Sequence, residues 1–263
     1  MNPIDPPLNS LPPAPNCEAG PSTTRFRRHE LKLVLNADEA AMVRDFARLN
    51  LEADRYSPLG AQYPVHSLYL DSSEFAVYHR RLDDGDTKYR IRRYGSEACV
   101  WLERKRRNGV LVDKRRERIA LDELANVFTG AALAGEFAAS FAAKVRAENL
   151  QPKLLISYPR SAWALGTRAR VTLDWSVQAR RPNESAWFDL ASPSLAASAG
   201  VILELKYDEL CPPLFQVLLE LLGRQGASWS KYGHGVEAFE MTSPRGMNGR
   251  VRSDETLRSD IAG

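Results

Sequence analysis

Apolar residues recur along this chain in two periods, and each switch of period marks an element. RFRRHELKLVL alternates from Arg25 onward, with Leu31, Leu33 and Leu35 on one side, which predicts a strand. In NADEAAMVRDFARLN, Ala40, Val43, Phe46 and Ala47 fall on one helical stripe, and Asn36 with Glu39 three residues on forms a capping-box pattern. YPVHSLYLD reads as a second strand, SSEFAVYHRRL as a short helix and DDGD as a turn. Three strands then come in quick succession: DTKYRIRRYG, ACVWLERKR and GVLVDKRRERIA. Asn108-Gly109 between the last two is a hairpin signal. LDELANVFTG and EFAASFAAKVRAENL take the helical period; KLLISYPRSAWAL, RARVTLDWSV and GVILELKYDEL return to strands. CPPLFQVLLELLGR is an apolar helix with prolines in its first turn, and ASWSKYGHGVEAF closes the core. No internal repeat or domain boundary interrupts the series. Antiparallel-rich strands with a few helices predict an α+β fold.

The polar side of these strands changes the picture. In KYRIRRYG, Lys88, Arg90 and Arg92 alternate with Tyr89 and Ile91. Arg28, Glu30 and Lys32 share one side of the first strand, Glu103 and Lys105 a side of another, and Lys114 and Arg116 a side that also holds Val112. Tyr158 with Arg160, Arg170 with Thr172 and Asp174, and Glu204 with Lys206 continue the pattern. A sheet with one wet face accounts for any single strand. Across the set, however, Arg and Lys dominate, and a Glu precedes a Lys by two positions three times, in ELK, ERK and ELK. If helices cover the apolar side and the sheet curls, the charged side lines a polar tunnel in a closed barrel. The lining then holds eleven cations: Lys32, Lys88, Arg90, Arg92, Lys105, Lys114, Arg116, Arg160, Arg170, Lys206 and Lys231. Four acids accompany them, Glu30, Glu103, Asp174 and Glu204, whereas the whole chain carries only +3. Two like charges about 4 Å apart repel by roughly 4 kcal/mol at an effective dielectric of about 20. Such a tunnel needs water, counterions or a polyanion, and a linear phosphate chain matches it best.

The rest of the composition bounds the answer. The chain has 263 residues, 44% of them hydrophobic, enough for one large domain or two small ones with a proper core. No apolar run approaches the roughly 18–20 residues that cross a membrane. Residues 1–24 are Pro-rich and read as a disordered lead-in, 25–240 as the folded domain, and 241–263 as a flexible tail. Cys17, Cys99 and Cys211 are far apart and odd in number, which suits neither a disulfide framework nor a zinc site and points to a reducing cytoplasm. His29, His66, His79 and His234 lack metal-ligand spacing and are read as structural, and Trp101, Trp163, Trp175 and Trp229 as packing. Aromatics do not interleave regularly with the basic strand positions, which disfavours nucleic acid as a partner.

The ordered pieces RRHELK, HSLYLDS, KYRIRRYG, WLERKRRNGVLVDKRR, SYPRSAW, RVTLDW, ILELKY and SKYGHG span roughly residues 25–240. Together they resemble the catalytic domain of the vacuolar transporter chaperone (VTC) polyphosphate polymerases, within the triphosphate tunnel metalloenzyme superfamily. The resemblance implies an antiparallel β-barrel tunnel with flanking helices. It implies a cytoplasmic, metal-dependent transferase that moves the terminal phosphoryl group of ATP onto a growing polyphosphate chain. By the same resemblance Lys32, Arg90, Arg92, Lys105, Arg160, Arg170 and Lys231 are catalytic. Lys88, Lys114, Arg116, Tyr158, Lys206, Glu30 and Glu103 bind substrate, Glu103 chiefly as a salt-bridge partner for its neighbours. Glu204 holds Mn²⁺ or Mg²⁺. The partners implied are ATP and inorganic polyphosphate, with any membrane coupling left to another protein. Hydrolases and cyclases of the superfamily carry a glutamate-rich ExExK first strand; here that strand reads Arg28, Glu30, Lys32, which favours the polymerase branch. The alternatives are a triphosphate or nucleoside triphosphate hydrolase of the same fold and a non-catalytic polyphosphate-binding module.

Overall fold

A computed structural model describes residues 23–241, except 55, 56, 58, 59, 110, 184, 185 and 225–228. The chain runs β1 (Thr23–Leu35), α1 (Ala37–Asn50), β2 (Glu52–Ala53), β3 (Tyr63–Asp71), β4 (Thr87–Tyr94), β5 (Cys99–Asn108) and β6 (Leu111–Ala120). A 3₁₀ turn (Asp122–Ala125) leads into α2 (Asn126–Thr129) and α3 (Glu136–Ala147). Then come β7 (Gln151–Leu165), β8 (Ala169–Asp174), β9 (Gln178–Arg180), β10 (Ser194–Ala196), β11 (Val201–Tyr207), α4 (Pro213–Leu222) and α5 (Lys231–Met241). Neighbouring strands pair in the order β7-β3-β4-β5-β6-β1-β11-β8, and β8 pairs back onto β7. Eight antiparallel strands therefore close on themselves, which removes the exposed edges an open sheet would carry. β2, β9 and β10 are short additions beside the barrel.

Alternation sorts the two sides as expected. On the outside, Leu68, Leu70, Tyr89, Ile91 and Leu102 pack with Phe137 and Phe141 of α3. Elsewhere Leu33, Leu35, Val171, Leu173, Leu203 and Leu205 pack under Ala40, Val43 and Ala47 of α1 and Phe215 and Leu218 of α4. The Asn36–Glu39 capping box is present: the Asn36 side chain accepts from Glu39 N at 2.9 Å, and the Glu39 carboxylate accepts from Asn36 N at 2.9 Å.

Several expectations need correction. SSEFAVYHRRL forms a run of turns, not a helix. The Asp71 carboxylate draws in the backbone N–H groups of Ser72, Val77 and Tyr78, and Phe75 and Arg80 take positive φ values of 53° and 56°. Both features compete with i→i−4 bonding. The segment read only as closing the core contains a helix, α5, in spite of Gly233 and Gly235. A Cβ at position 235 would lie 2.9 Å from Ile156 Cδ1 and 3.1 Å from Leu154 Cδ1, so this glycine lets α5 lie close against β7. Cys211 is a free thiol. Cys17, the Pro-rich lead-in up to residue 22 and the tail from residue 242 fall outside the described residues. Among the described residues no helix is long and apolar enough to cross a membrane.

His66 faces outward and is buried beside Ser157, with Nδ1 3.1 Å from its hydroxyl, in keeping with the structural role read for it. Burial, with Arg93 and Arg180 nearby, pushes the imidazole down to about 4. The unfolded chain, with an ordinary value of about 6.5, therefore takes up the proton first. Stability present above about pH 6.5 is lost as the pH falls towards 4, by about 2 to 3 kcal/mol from this group. Urea titrations at pH 7 and 4.5 should show a larger acid loss in the wild type than in His66→Gln. Equal losses in the two proteins would remove His66 as the cause.

Candidate functional site

The strand registers bring the charged rows face to face inside the barrel. Lys32 pairs with Glu204 and Glu30 with Lys206 across β1 and β11. Arg90 pairs with Glu103, and Glu103 with Arg116, across β4, β5 and β6. Arg160 pairs with Asp174, and Lys206 with Arg170, where β8 meets its neighbours. The enclosed cavity, counted with its open mouths, measures about 1320 Å³. Fourteen Lys and Arg side chains line it among the described residues, against three Asp and Glu. Every candidate from the sequence lines this cavity except Glu103 and Asp174, which are fully buried in the wall behind it and so are not the lining acids the alternation predicted.

The buried acids hold the cations in place. Glu103 accepts from Arg90 Nε at 2.6 Å and from the Lys114 ammonium, with Arg92 Nε at 3.8 Å. Asp174 accepts two bonds from Arg160, at 2.5 and 2.7 Å, and pairs with Lys231 at 2.5 Å. Glu204 faces four cations: Lys206 at 2.6 Å, Lys231 at 3.1 Å, Arg160 at 3.6 Å and Lys32 at 3.9 Å. Glu30 accepts from Lys105 at 2.5 Å. Burial alone would raise Glu204, but Lys206, Lys231, Lys32 and Arg160 outweigh it and hold the carboxyl well below its usual range.

The lysines divide by the company they keep. Burial, and then the like charge of Lys105, pushes Lys32 down to about 7. Burial takes Lys206 down to about 8 even with Glu204 in contact. Lys231 goes the other way, because Asp174 and Glu204 outweigh its burial and hold it above the ordinary lysine value. The Tyr69 hydroxyl sits among Arg90, Arg92 and Lys231, which overcome its burial and lower its pKa.

Lys231 opens α5, and its placement depends on how that helix docks. The Tyr232 hydroxyl donates to Asp71 Oδ2 at 2.6 Å, and its ring stacks on Tyr69 with centroids 5.0 Å apart. Lys32 Nζ donates to the Trp229 carbonyl at 3.0 Å, and Lys88 Nζ to Ser230 Oγ at 3.1 Å. The registers place Lys32, Lys88 and Tyr69 towards one end of the tunnel, where residues 229–231 enter it, and Phe26, Tyr94, Arg116 and Arg170 towards the other.

Sequence reasoning missed several of the lining residues. Phe26, Tyr94 and Arg107 share the inward parity of rows already identified, so the alternation could have found them, and Arg28 stands on the side of the first strand already read as charged. Tyr69 carries no such signal, because all nine residues of β3 are buried and alternation is invisible there. Arg80 and Asp86 come from turns between strands, and Trp229 and Ser230 from the segment before α5, where no strand period applies.

Two measurements test this electrostatic arrangement. Glu103→Gln strips the buried counter-charge from Arg90, Arg92 and Lys114 and should lower stability by about 3 kcal/mol in urea titrations. Tripolyphosphate should then raise the Tm of the variant more than that of the wild type, since it replaces the lost charge; a variant as stable as the wild type would show that Glu103 is not their counter-ion. Lys32, discharging through about pH 7, gains its proton back when a polyanion binds. Tripolyphosphate affinity should therefore fall between pH 6 and 9 in the wild type relative to Lys32→Arg, whose guanidinium stays charged. Parallel pH profiles would mean that Lys32 is already an ammonium throughout this range.

Comparison with known proteins agrees with this geometry. A family model described as the VTC domain matches residues 27–240. No curated protein sequence matches the chain. A Bacillus halodurans protein described as a candidate adenylate cyclase superposes with a TM-score of 0.51 at 12% identity, covering 79% of this chain and 96% of its own. A Pyrococcus horikoshii protein gives 0.48 at 14% identity, covering 81% and 99%. A Hippeastrum protein, described as a candidate adenylyl cyclase with a dominant triphosphatase activity, gives 0.46 at 12% identity, covering 80% and 95%. At these identities the likeness is one of fold.

Proposed function

Because the chain belongs to the VTC domain family, we propose that it is a metal-dependent polyphosphate polymerase that transfers the terminal phosphoryl group of ATP to a growing polyphosphate chain. The observation that carries this reading is the convergence of fourteen cations and only three acids on one interior cavity. A linear polyanion with many acceptor oxygens is the ligand that such a wall stabilises. The proposed catalytic unit is residues 25–240, working in the cytoplasm where ATP is at hand.

Phosphoryl transfer needs positioning and neutralisation of spread charge more than proton chemistry. An oxygen of the acceptor chain's terminal phosphate, already ionised at neutral pH, forms a bond to the γ-phosphorus. The bond from that phosphorus to the β,γ-bridging oxygen breaks, and ADP leaves with the electron pair. No general base is required, which suits a tunnel whose carboxylates are all engaged by cations. In this reading Arg90, Arg92 and Arg160 offer phosphate oxygens the guanidinium donors that Glu103 and Asp174 leave free, while Lys88, Lys114, Arg116, Lys206 and Tyr158 hold the chain along the wall. Lys32, Lys105 and Lys231 bring compact charge, and Arg170 a planar guanidinium, to the transferring group and the departing ADP. Glu30 and Glu103 keep the cations aimed.

The residues present fit a divalent cation of one particular kind. Among the described residues, no group of three or more His, Cys, Asp or Glu side chains is arranged to hold an ion. Glu204 offers hard oxygen donors, but four cations surround it. A free dication meets a net positive wall; one already bound to phosphate oxygens brings its own ligands and needs only Glu204 from the protein. Mn²⁺ or Mg²⁺ held in that way would supply charge neutralisation across the β- and γ-phosphates.

Incubating purified protein with ATP and Mn²⁺ should give a polymer ladder on a gel and ADP in step with the phosphoryl groups incorporated. Glu204→Gln and Lys32→Met, each with an unchanged circular dichroism spectrum, should lower turnover by about 100-fold or more. Phosphate release without polymer would make the protein a hydrolase of this fold. Salt-sensitive binding of polyphosphate without any turnover would make it a binding module.

A further inference from the structure

The outside of the barrel carries a second basic surface that the proposed reaction does not use. Where β5 and β6 lie beneath α3, their outward positions are apolar, and Leu102 and Ile119 pack with Phe137. Further along the same strands the outward positions turn to arginine. Arg104 of β5 stands directly opposite Arg115 of β6, and Arg115 directly opposite Arg25 of β1. The next outward row reads Arg106, Asp113, Arg27 across the same three strands. Arg25, Arg27 and Arg106 are exposed, and Arg104 and Arg115 half-buried. Asp113 pairs with Arg25 at 2.7 Å, and the exposed Glu136 carboxylate lies 3.8 Å from Arg115. Five arginines against two acids leave a surplus of three positive charges on this corner, as much as the formal charge of the whole chain. A shallow groove of about 700 Å³, counted with its open side, runs along it between Arg25, Arg27, Arg106 and Leu111.

Like charges directly opposite on neighbouring strands weaken a sheet. A sheet that only had to keep one face wet would set opposite charges abreast, as the tunnel wall does with Arg90 and Glu103. Three arginines abreast instead offer forked, planar donors at regular intervals, a pattern that suits a row of phosphate groups. We propose that this outer strip, centred on Arg25, Arg104 and Arg115, is a second binding surface for linear polyphosphate and takes up the stretch of chain that the tunnel cannot hold. The inference rests on the polymerase reading above and adds a surface to it. The barrel wall limits what the cavity can contain, so a growing polymer outruns it. The inner and outer cations lie on opposite sides of one layer of backbone. Arg106 points outward where its neighbour Arg107 lines the cavity, and Arg27 where Arg28 does. Arg106 and Arg107 stand beside the end of β5, so the two surfaces meet at the rim of the barrel. A chain held at both is released slowly, because either hold keeps the other at a high effective concentration.

Long-chain polyphosphate and tripolyphosphate, each titrated into the full chain at several salt concentrations, separate the strip from the tunnel. Arg25→Gln, Arg104→Gln and Arg115→Gln combined should weaken long-chain binding by about tenfold and flatten its salt dependence. Tripolyphosphate affinity should stay within about twofold of the wild type, which also shows that the variant is folded. Arg27→Gln with Arg106→Gln changes two exposed positions outside the Arg25–Asp113 pair; it should weaken long-chain binding by about threefold and serves where the triple variant does not fold. Removing the same charge elsewhere, with the exposed Arg48→Gln, Arg146→Gln and Arg168→Gln, should weaken it by less than about twofold. With ATP and Mn²⁺ the triple variant should form ADP at the wild-type initial rate but make shorter polymer. If strip and control variants weaken long-chain binding alike, or neither weakens it, the strip assignment is wrong and the polymerase reading stands. If the triple variant loses only co-sedimentation with phosphatidylglycerol vesicles, the surface reads a lipid headgroup and the proposal falls. If the wild type binds neither polyphosphate, the polymerase reading falls and takes this inference with it.

Discussion

Like charges gathered in one interior repel, and the whole barrel is arranged around that fact. Fourteen cations share the cavity with three acids, and each close pair of like charges is unfavourable by about 4 kcal/mol at an effective dielectric of about 20. Two further acids, Glu103 and Asp174, lie fully buried in the wall and reach Arg90, Arg92, Lys114, Arg160 and Lys231 from behind. They reduce the repulsion without occupying the space a ligand needs. What remains uncompensated faces the cavity, and it shows in Lys32 and Lys206, whose protons burial and their neighbours have loosened. Repulsion within the wall is thus the source of affinity: a polyanion relieves what the fold already sustains.

The same strands carry the means of sustaining it. Lys32, Arg90 and Lys206 are each flanked on both sides by outward Leu, Ile or Tyr, so the period that charges the interior also builds the two apolar layers beneath α1, α3 and α4. Closure matters as much as patterning. An open sheet would let Arg and Lys tips splay into water, where they repel little; the pairing of β8 with β7 confines them. One catalytic candidate, Lys231, does not come from the barrel. The Asp71–Tyr232 hydrogen bond and the Tyr69–Tyr232 stack fix its helix to β3, and Gly235 lets that helix approach β7. The Asp71 carboxylate that turns the chain after β3 therefore also anchors the helix that carries a cation into the tunnel.

Alternation along the chain is enough to read the barrel and most of its lining. Lys32, Arg90, Lys105 and Lys206 could be placed because a period of two needs only one face to be apolar. It failed where that contrast vanishes. β3 is buried along its whole length, so Tyr69 could not be told from its neighbours. β2, β9 and β10 are two or three residues long, too short to display a period. The false helix after Asp71 had the right apolar spacing but lost its backbone donors to a carboxylate, a competition that spacing does not record. Glu103 was correctly read as a partner for cations, yet nothing in the sequence distinguishes an acid behind the wall from one in front of it.

That distinction between acids behind and in front bears on how a metal and a nucleotide can share the site. Glu103 and Asp174 are enclosed, so their charge is fixed and only tunes the wall. Glu204 and Glu30 line the cavity and can exchange an ammonium partner for an incoming ion. An exchange of that kind is uphill for a bare dication, because the displaced lysines remain nearby with the same sign. It turns favourable when phosphate oxygens arrive together with the ion and take over the displaced lysines as their own donors. In the proposed reaction a divalent ion would therefore come in already bound to the polyanion, because the surplus of cations that disfavours the ion alone favours the pair.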